Sequence, residues 1–138
     1  MELTLHNQAS EISLVHQALD EFVTQNALES TDFAKLHVAL EEHLANIISY
    51  GYESGQAGTI RLRFSVGSSA LTVEIEDDGR PFNPLDAPAV DTSLSLDQKP
   101  IGGLGLHLIR KCVDEASYSR AEHHNRLVMS KRLKSAKR

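Results

Sequence analysis

The sequence predicts one α+β domain, a two-layer sandwich in which helices cover one face of a largely antiparallel sheet. Two stretches with helical spacing of apolar residues follow a short alternating segment near the start. Two alternating stretches joined by a small polar turn then predict a β-hairpin, and two more alternating stretches close the chain. This segregation of helices from strands favours the two-layer architecture, and 138 residues suit a single domain over 1–138.

The first elements are a strand and two helices. Leu3 and Leu5 alternate with polar neighbours and predict an opening strand. The first helix is predicted from Ser10 to about Leu28, and the second is predicted to stop near Gly51. The apolar stripes that predict these helices are Ile12, Val15, Leu19, Phe22 and Val23 in the first, and Phe33, Leu36, Leu40, Leu44, Ile47 and Ile48 in the second, with Ser30, Thr31 and Asp32 as N-cap candidates.

A hairpin follows the helices. Strict alternation predicts strands over 59–66 and 70–76, joined by a turn at 67–69. Opposite charges on the polar faces of the two strands are expected to pair and to help fix the register. These residues are Arg61, Arg63, Glu74 and Glu76.

The chain after the hairpin is less regular. Prolines bracket residues 85–101, which are predicted to form a long binding loop or lid, with a plain connection or a short helix as the alternative. A third helix is predicted to begin at the glycine cluster 102–105. Strands over 116–122 and 126–133 are predicted to flank a turn at 123–125.

Composition narrows the functional classes. The hydrophobic fraction is 41%, the charged fraction 24% and the net charge −5, which argues against a nucleic acid as the main partner. Cys112 is the one cysteine, so no intrachain disulfide can form and a reducing cytoplasm is expected. The start resembles no signal peptide, and no stretch has the length of a membrane span. The basic tail 131–138 is interpreted as a solvated end.

Glu42 and Asn46 are four residues apart, so they share one face of the second helix, away from the apolar stripe. Ala39 and Ala45 beside them would let a ligand approach closely. A carboxylate there could orient or deprotonate a hydroxyl, and the amide oxygen could bind Mg²⁺. Taken alone, the pair is better interpreted as a solvated helix face, and its context has to be added before it indicates a site.

Asp77-Asp78-Gly79 follows a strand, where a fixed carboxylate could accept a hydrogen bond from the exocyclic amine of adenine. Gly79 would let the backbone pass close to a flat base, although Asp-Gly is also a common turn. Pro81 and Pro84 stiffen the exit from this turn, and Phe82 can cap a pocket.

The glycine cluster precedes a helix whose free N–H groups suit phosphate. It lacks the Lys-Ser/Thr of a Walker loop and no β-α-β unit surrounds it, so a simple hinge is the alternative. The ordered set of three motifs nevertheless indicates a nucleotide site.

These three motifs resemble those of the GHKL ATPase superfamily, and more narrowly those of the anti-sigma-factor serine kinases of bacterial partner-switching systems. Residues 42–52 resemble the N box, 77–84 the first glycine box and 100–109 the second. The resemblance covers nearly the whole chain. It implies a Bergerat ATP-binding fold with helices on one face of a mixed sheet and an ATP lid between the glycine boxes.

The resemblance also implies roles for individual residues. Glu42 matches the general base, Asn46 the Mg²⁺ ligand and Asp77 the adenine-binding carboxylate, with Gly79 beneath the base. Ser130 is a candidate for a hydroxyl on the last strand that supports adenine. The loop that would contact phosphate through backbone amides consists of Gly102, Gly103, Leu104 and Gly105.

One departure from the family pattern concerns the lid. Related kinases commonly place an arginine there, whereas residues 85–101 contain no arginine and only Lys99 as a positive charge. A lysine is a point charge and not a planar fork, so efficient phosphoryl transfer is in question. The histidines form no convincing zinc set and are expected to have surface or packing roles.

The resemblance implies a protein serine/threonine kinase that uses ATP and Mg²⁺, phosphorylates a small antagonist protein and sequesters a sigma factor or another regulator. Related kinases are often homodimers. The alternatives are an ATP-dependent binding module without catalysis and, less favoured because no transducer domain follows, the ATPase part of a larger complex.

Overall fold

The computed structural model describes residues 1–85 and 109–134. The chain opens with β1 (Glu2–His6), passes through a 3₁₀ turn at Ala9–Glu11 into α1 (Ile12–Gln25), and continues through a second 3₁₀ turn at Ser30–Phe33 into α2 (Ala34–Tyr50). The hairpin strands are β2 (Thr59–Val66) and β3 (Ala70–Asp77). After helical residues 109–112, β4 (Glu115–Ala121) and β5 (His124–Arg132) complete the described chain.

The five strands form one sheet in the order β1-β2-β3-β5-β4. Every pairing among them is antiparallel, as the periodicity predicts, so the mixed sheet implied by the family resemblance is not found within the described residues. For three of the four strand pairs, the connection between the two strands explains why they are antiparallel. Two hairpins reverse the chain directly, and two successive helices between β1 and β2 bring β2 back in the opposite direction.

The two layers share one hydrophobic core. Alternate residues of β2 and β3 point towards the helices, and the opposing helix faces bury the predicted stripes. This confirms the α+β two-layer prediction. The largest fully buried side chains include Leu19, Phe33, Leu40, Leu44, Phe64 and Ile75.

The other face of the sheet carries a chain of charges, which we call the charged ladder. Arg63 is 2.7 Å from Glu2 on β1 and 3.7 Å from Glu74 on β3, and Glu74 also contacts Arg126 on β5. Arg61 pairs with Glu76 at 2.8 Å. The predicted cross-strand pairing is therefore confirmed.

Several predicted boundaries change. Ser30, Thr31 and Asp32 do not cap α2, because they form the preceding 3₁₀ turn and the N-cap position, Phe33, has no side-chain cap. The last turn lies at 122–123, where both residues have positive φ, so position 125 belongs to β5. The predicted lid and the start of the third helix lie outside the described residues. Neither described α-helix combines the length and apolar character needed to cross a membrane.

Candidate functional site

A cavity of about 370 Å³ lies where α2 and β3 end side by side. The last two turns of α2 and the bend after it form one wall, and the segment after β3 forms another. The start of β5 closes the inner end. The lining residues include His43, Asn46, Ile47, Gly51, Tyr52, Asp77, Arg80, Phe82 and Asn125.

Asp77 is the buried acid of this cavity. It is the last residue of β3 and points to the helix side of the sheet, where it is only 3% exposed. Its Oδ1 accepts hydrogen bonds from the Gly79 N–H at 2.9 Å and from Asn125 Nδ2 at 3.0 Å. Burial raises the pKa of Asp77 despite these bonds. Among the described residues no donor reaches Oδ2, so one carboxylate oxygen is left for a ligand.

Asn125 holds Asp77 in place, and the sequence reasoning missed it. It lies opposite Asp77 in the β3–β5 register and is buried. Nδ2 also donates to the Arg80 carbonyl at 2.8 Å, while Oδ1 accepts from Tyr118 and from Arg120 at 3.1 Å. The alternation of Asn125 with Leu127 and Met129 is the signal that could have revealed its inward position.

Gly79 is required by a close backbone approach. A Cβ atom at this position would lie 2.8 Å from the carbonyl oxygen of Gly51 and 3.0 Å from Oδ1 of Asp77. The same Gly51 carbonyl accepts the Arg80 N–H at 2.9 Å, which ties the end of α2 to the turn after β3. Any side chain at 79 would therefore push these two elements apart.

The neighbouring acid, Asp78, has a structural role. Its Oδ1 accepts from the Tyr52 hydroxyl at 2.7 Å and from the Thr59 N–H at 3.0 Å, so it joins the loop after α2 to the start of β2. Burial alone would raise the pKa of Asp78, but these hydrogen bonds outweigh it and lower the pKa. Burial and the bond to Asp78 raise the pKa of Tyr52.

Asn46 faces the cavity from α2. It is 8% exposed, and its Nδ2 has no hydrogen-bond partner among the described residues. Glu42 lies one helical turn earlier, is partly exposed and does not belong to the cavity lining. The structure thus brings Asn46 and Asp77 to one cavity and leaves Glu42 at its border.

His43 also lines the cavity. Its side chain is 3% exposed, and Nδ1 has no partner within the described part of the chain. Burial lowers the pKa of His43 from 6.5 to about 4, so the ring is neutral at pH 7. The sequence reasoning expected only a surface or packing role, because a histidine on a helix gives no signal of which polar atom lacks a partner.

The structure does not bring Ser130 to the cavity. Its side chain lies on the opposite face of the sheet, where Oγ is 3.2 Å from the hydroxyl of Thr72 on β3. The reason is the period of two along β5, which turns odd-numbered residues inward and even-numbered ones outward. Lys99, Gly102, Gly103, Leu104 and Gly105 lie outside the described residues.

The cavity suits a small ligand that carries some polar groups. Its volume lies within the range of small-molecule sites, about 300 to 1,000 Å³. A buried polar atom without a partner costs about 1 to 3 kcal/mol, so the free atoms of Asn46 and His43 indicate a surface that a ligand completes. A half-turn of the Asn46 amide exchanges Nδ2 and Oδ1, and amide oxygen is a ligand that Mg²⁺ accepts. The fold and the cavity together have the features of a nucleotide-binding domain.

Comparison with known families gives the identity of that domain. The model of the histidine kinase-like ATPase domain matches residues 5–131, and the chain belongs to this family. The serine/threonine-protein kinase BtrW of Bordetella bronchiseptica is 30% identical over 95 residues, which cover 69% of this chain and 67% of that protein. The anti-sigma F factor of Clostridium novyi is 21% identical over 98% of this chain and 95% of its own.

A solved structure agrees with the fold. The RsbU and RsbW domains of a Mycobacterium tuberculosis protein superpose with a TM-score of 0.66 at 16% identity, over 96% of this chain. This chain spans about a third (32%) of that solved chain. The resemblance to the GHKL superfamily and to its anti-sigma kinases is confirmed.

Proposed function

We propose that the chain is an ATP-dependent serine/threonine protein kinase of the anti-sigma type. It would phosphorylate a serine of a small antagonist protein and sequester a sigma factor or another regulator. Membership of the ATPase family supports nucleotide binding, and the names of the Bordetella and Clostridium relatives support the kinase and the anti-sigma roles. The observation that carries the proposal is the pair of buried polar residues, Asp77 and Asn46, facing one cavity.

Each residue has a defined task in this proposal. The carboxylate oxygen of Asp77 that has no donor accepts a hydrogen bond from the exocyclic amine of adenine. Gly79 has no side chain and therefore leaves room for the base. Asn46 holds Mg²⁺ through its amide oxygen. Bound ATP would supply the phosphoryl group, and Mg²⁺ held by Asn46 would neutralise the negative charge that develops on it.

Glu42 is proposed as the general base. It is partly exposed at the border of the cavity, so a serine hydroxyl of a docked partner can reach it and be oriented for attack. Lys99 and the loop of Gly102, Gly103, Leu104 and Gly105 are proposed to contact the phosphates. Catalysis would rest mainly on positioning, because phosphoryl transfer needs little covalent chemistry from the protein.

The proposal places the protein in the cytoplasm, in keeping with the reduced state expected for a chain with a single cysteine. A homodimer is proposed from the family resemblance alone. Neither a nucleic acid nor a membrane has a part in this function.

A second candidate function is an ATP-dependent binding module without catalysis. One observation favours it, namely that residues 85–101 contain no arginine and only Lys99 to meet the γ-phosphate. A lysine lacks the bidentate geometry that an arginine offers to a phosphoryl group. Such a protein would still exchange partners according to the bound nucleotide.

Transfer of labelled γ-phosphate to candidate antagonist proteins distinguishes the two candidates. We expect transfer by the wild type, a large loss in Glu42→Ala and near-normal transfer in Glu41→Ala, the matched change one residue away. Equal transfer by the Glu42 variant would remove Glu42 as base. ATP binding by the wild type without transfer to any antagonist would favour the binding module.

Calorimetric titration with ATP tests the adenine site separately. Asp77→Asn is expected to lower the affinity about 10-fold to 100-fold, since a hydrogen bond to a charged group contributes about 1.5 to 3 kcal/mol. Asp78→Asn is the matched control, because Asp78 bonds to Tyr52 and Thr59 and does not itself line the cavity. Thermal melting of both variants checks the fold. Unchanged affinity in a folded Asp77 variant would contradict the assignment.

A further inference from the structure

An arginine on the edge strand β4 reaches the turn that follows β3, past the strand that lies between them. Asp77 on β3, Asn125 on β5 and Arg120 on β4 lie directly opposite one another in the sheet register. Residues that are opposite in an antiparallel pair share one face, so all three side chains lie on the helix side of the sheet. We call these three residues the polar row.

The polar row fixes the backbone of Gly79 and Arg80. The Gly79 N–H bonds to Asp77 at 2.9 Å, and the Gly79 carbonyl accepts a hydrogen bond from Nη1 of Arg120 at 3.0 Å. The Arg80 carbonyl accepts from Asn125 at 2.8 Å, and the Arg80 N–H bonds at 2.9 Å to the carbonyl of the residue that follows α2. Every N–H and C=O of these two residues therefore has a partner, and Arg120 supplies the one charged donor among them.

Arg120 also acts on the side chain that holds the buried acid. The same Nη1 atom donates to Oδ1 of Asn125 at 3.1 Å, while Nδ2 of Asn125 donates to Oδ1 of Asp77 at 3.0 Å. Arg120 is partly buried and does not line the cavity, so it acts on a ligand through its neighbours. Burial raises the pKa of Asp77, and the hydrogen bonds to its carboxylate, together with the positive charge of Arg120, oppose that rise.

We propose that Arg120 is a positioning residue for adenine recognition, which holds the turn after β3 and Asn125 so that the second carboxylate oxygen of Asp77 faces the base. This inference rests on the proposed binding of ATP in the cavity. An ionised carboxylate only accepts hydrogen bonds, so it matches the exocyclic amine of adenine and repels the carbonyl oxygen that hypoxanthine carries at the same ring position. The placement of Asp77 therefore determines both the affinity for ATP and the preference for ATP over inosine triphosphate (ITP).

Calorimetric titration of the whole chain with ATP and with ITP, below the melting temperature of each variant, tests the proposal. The wild type is expected to bind ATP more tightly than ITP. Arg120→Met keeps the apolar stem of the side chain but has no N–H group, so ATP binding should weaken about 10-fold and the ratio of ATP affinity to ITP affinity should fall. Arg120→Lys keeps a charged donor and should recover part of both losses. Arg120→Gln, a shorter polar side chain, replaces the methionine variant if that variant does not fold.

Arg126→Met is the matched control, because Arg126 lies on the outer face of the neighbouring strand β5 and contacts Glu74. Its affinity for both nucleotides should equal that of the wild type. The proposal is overturned if the folded Arg120→Met variant keeps the wild-type ratio of ATP affinity to ITP affinity, as a general loosening of the fold would leave it. It is also overturned if Arg120→Lys binds ATP no better than Arg120→Met does. A wild type that binds no ATP contradicts the proposed function itself, and the role of Arg120 with it.

Discussion

Acid is expected to destabilise the folded chain through His43. Its buried ring has a pKa lowered from 6.5 to about 4, so the unfolded state takes up a proton at a higher pH than the folded state does. The stabilising contribution is therefore complete above about pH 6.5 and is lost progressively as the pH falls towards 4. The difference between the two pKa values corresponds to about 3 kcal/mol, a substantial part of the stability of a small domain.

Urea unfolding at intervals from about pH 7.5 to about pH 4.5 measures this loss. We expect His43→Gln to flatten the pH dependence of the free energy of unfolding. Asp77 acts in the opposite sense, because its raised pKa gives stability that is lost as the pH rises. The difference in pH dependence between the wild type and His43→Gln separates the contribution of His43 from that of Asp77. An identical slope in His43→Gln would refute the assignment to this ring.

Three further changes test the walls of the cavity. Gly79→Ala should lower the free energy of unfolding by about 1 to 3 kcal/mol, because its Cβ would lie 2.8 Å from the Gly51 carbonyl oxygen. Chemical denaturation measures this loss, and an unaltered denaturation midpoint would contradict the close approach. Tyr52→Phe should cost about 1 to 2 kcal/mol through the lost bond to Asp78, seen as a lower melting temperature. Asn125→Ala should cost about 2 to 3 kcal/mol and weaken ATP binding; normal ATP affinity in a folded variant would exclude its positioning role.

Most of the sheet could be predicted from the sequence, because period-two alternation fixes which side chains are buried. Leu62, Phe64 and Val73 alternate with charges on both hairpin strands, and the structure places them in the core. The family resemblance proposed Ser130 as a support for adenine, but the alternation along β5 places its side chain beside Thr72, on the face away from the cavity. A shift of one residue in phase decides whether a side chain meets the helices or the solvent.

The polar atoms of the cavity were harder to predict. Asp77 and Asn46 were found because they stand in short motifs, whereas Asn125 follows two histidines at a turn and belongs to no motif. The two acceptors of its side-chain N–H groups, Asp77 and the Arg80 carbonyl, lie 48 and 45 residues away along the chain, so the register of β3 against β5 brings them together. The role of His43 depends on burial by elements distant in sequence, which no local pattern encodes.

The charged ladder has a consequence for how this chain avoids misfolding. A slip of one residue between β2 and β3 would bury charges and is excluded by the hydrophobic pattern, but a slip of two residues keeps every apolar side chain on the correct face. A slip in one direction would set Arg63 opposite Thr72 instead of Glu74, whereas a slip in the other direction would set it opposite Glu76. Exposed ion pairs contribute at most about 1 kcal/mol each, and here they disfavour the first of these two slips, which the hydrophobic pattern alone does not exclude. A two-residue slip moves a strand by about 7 Å. In β3 that distance would carry Asp77 out of reach of Asn125, so weak contacts on the solvent face keep the cavity on the other face correctly assembled.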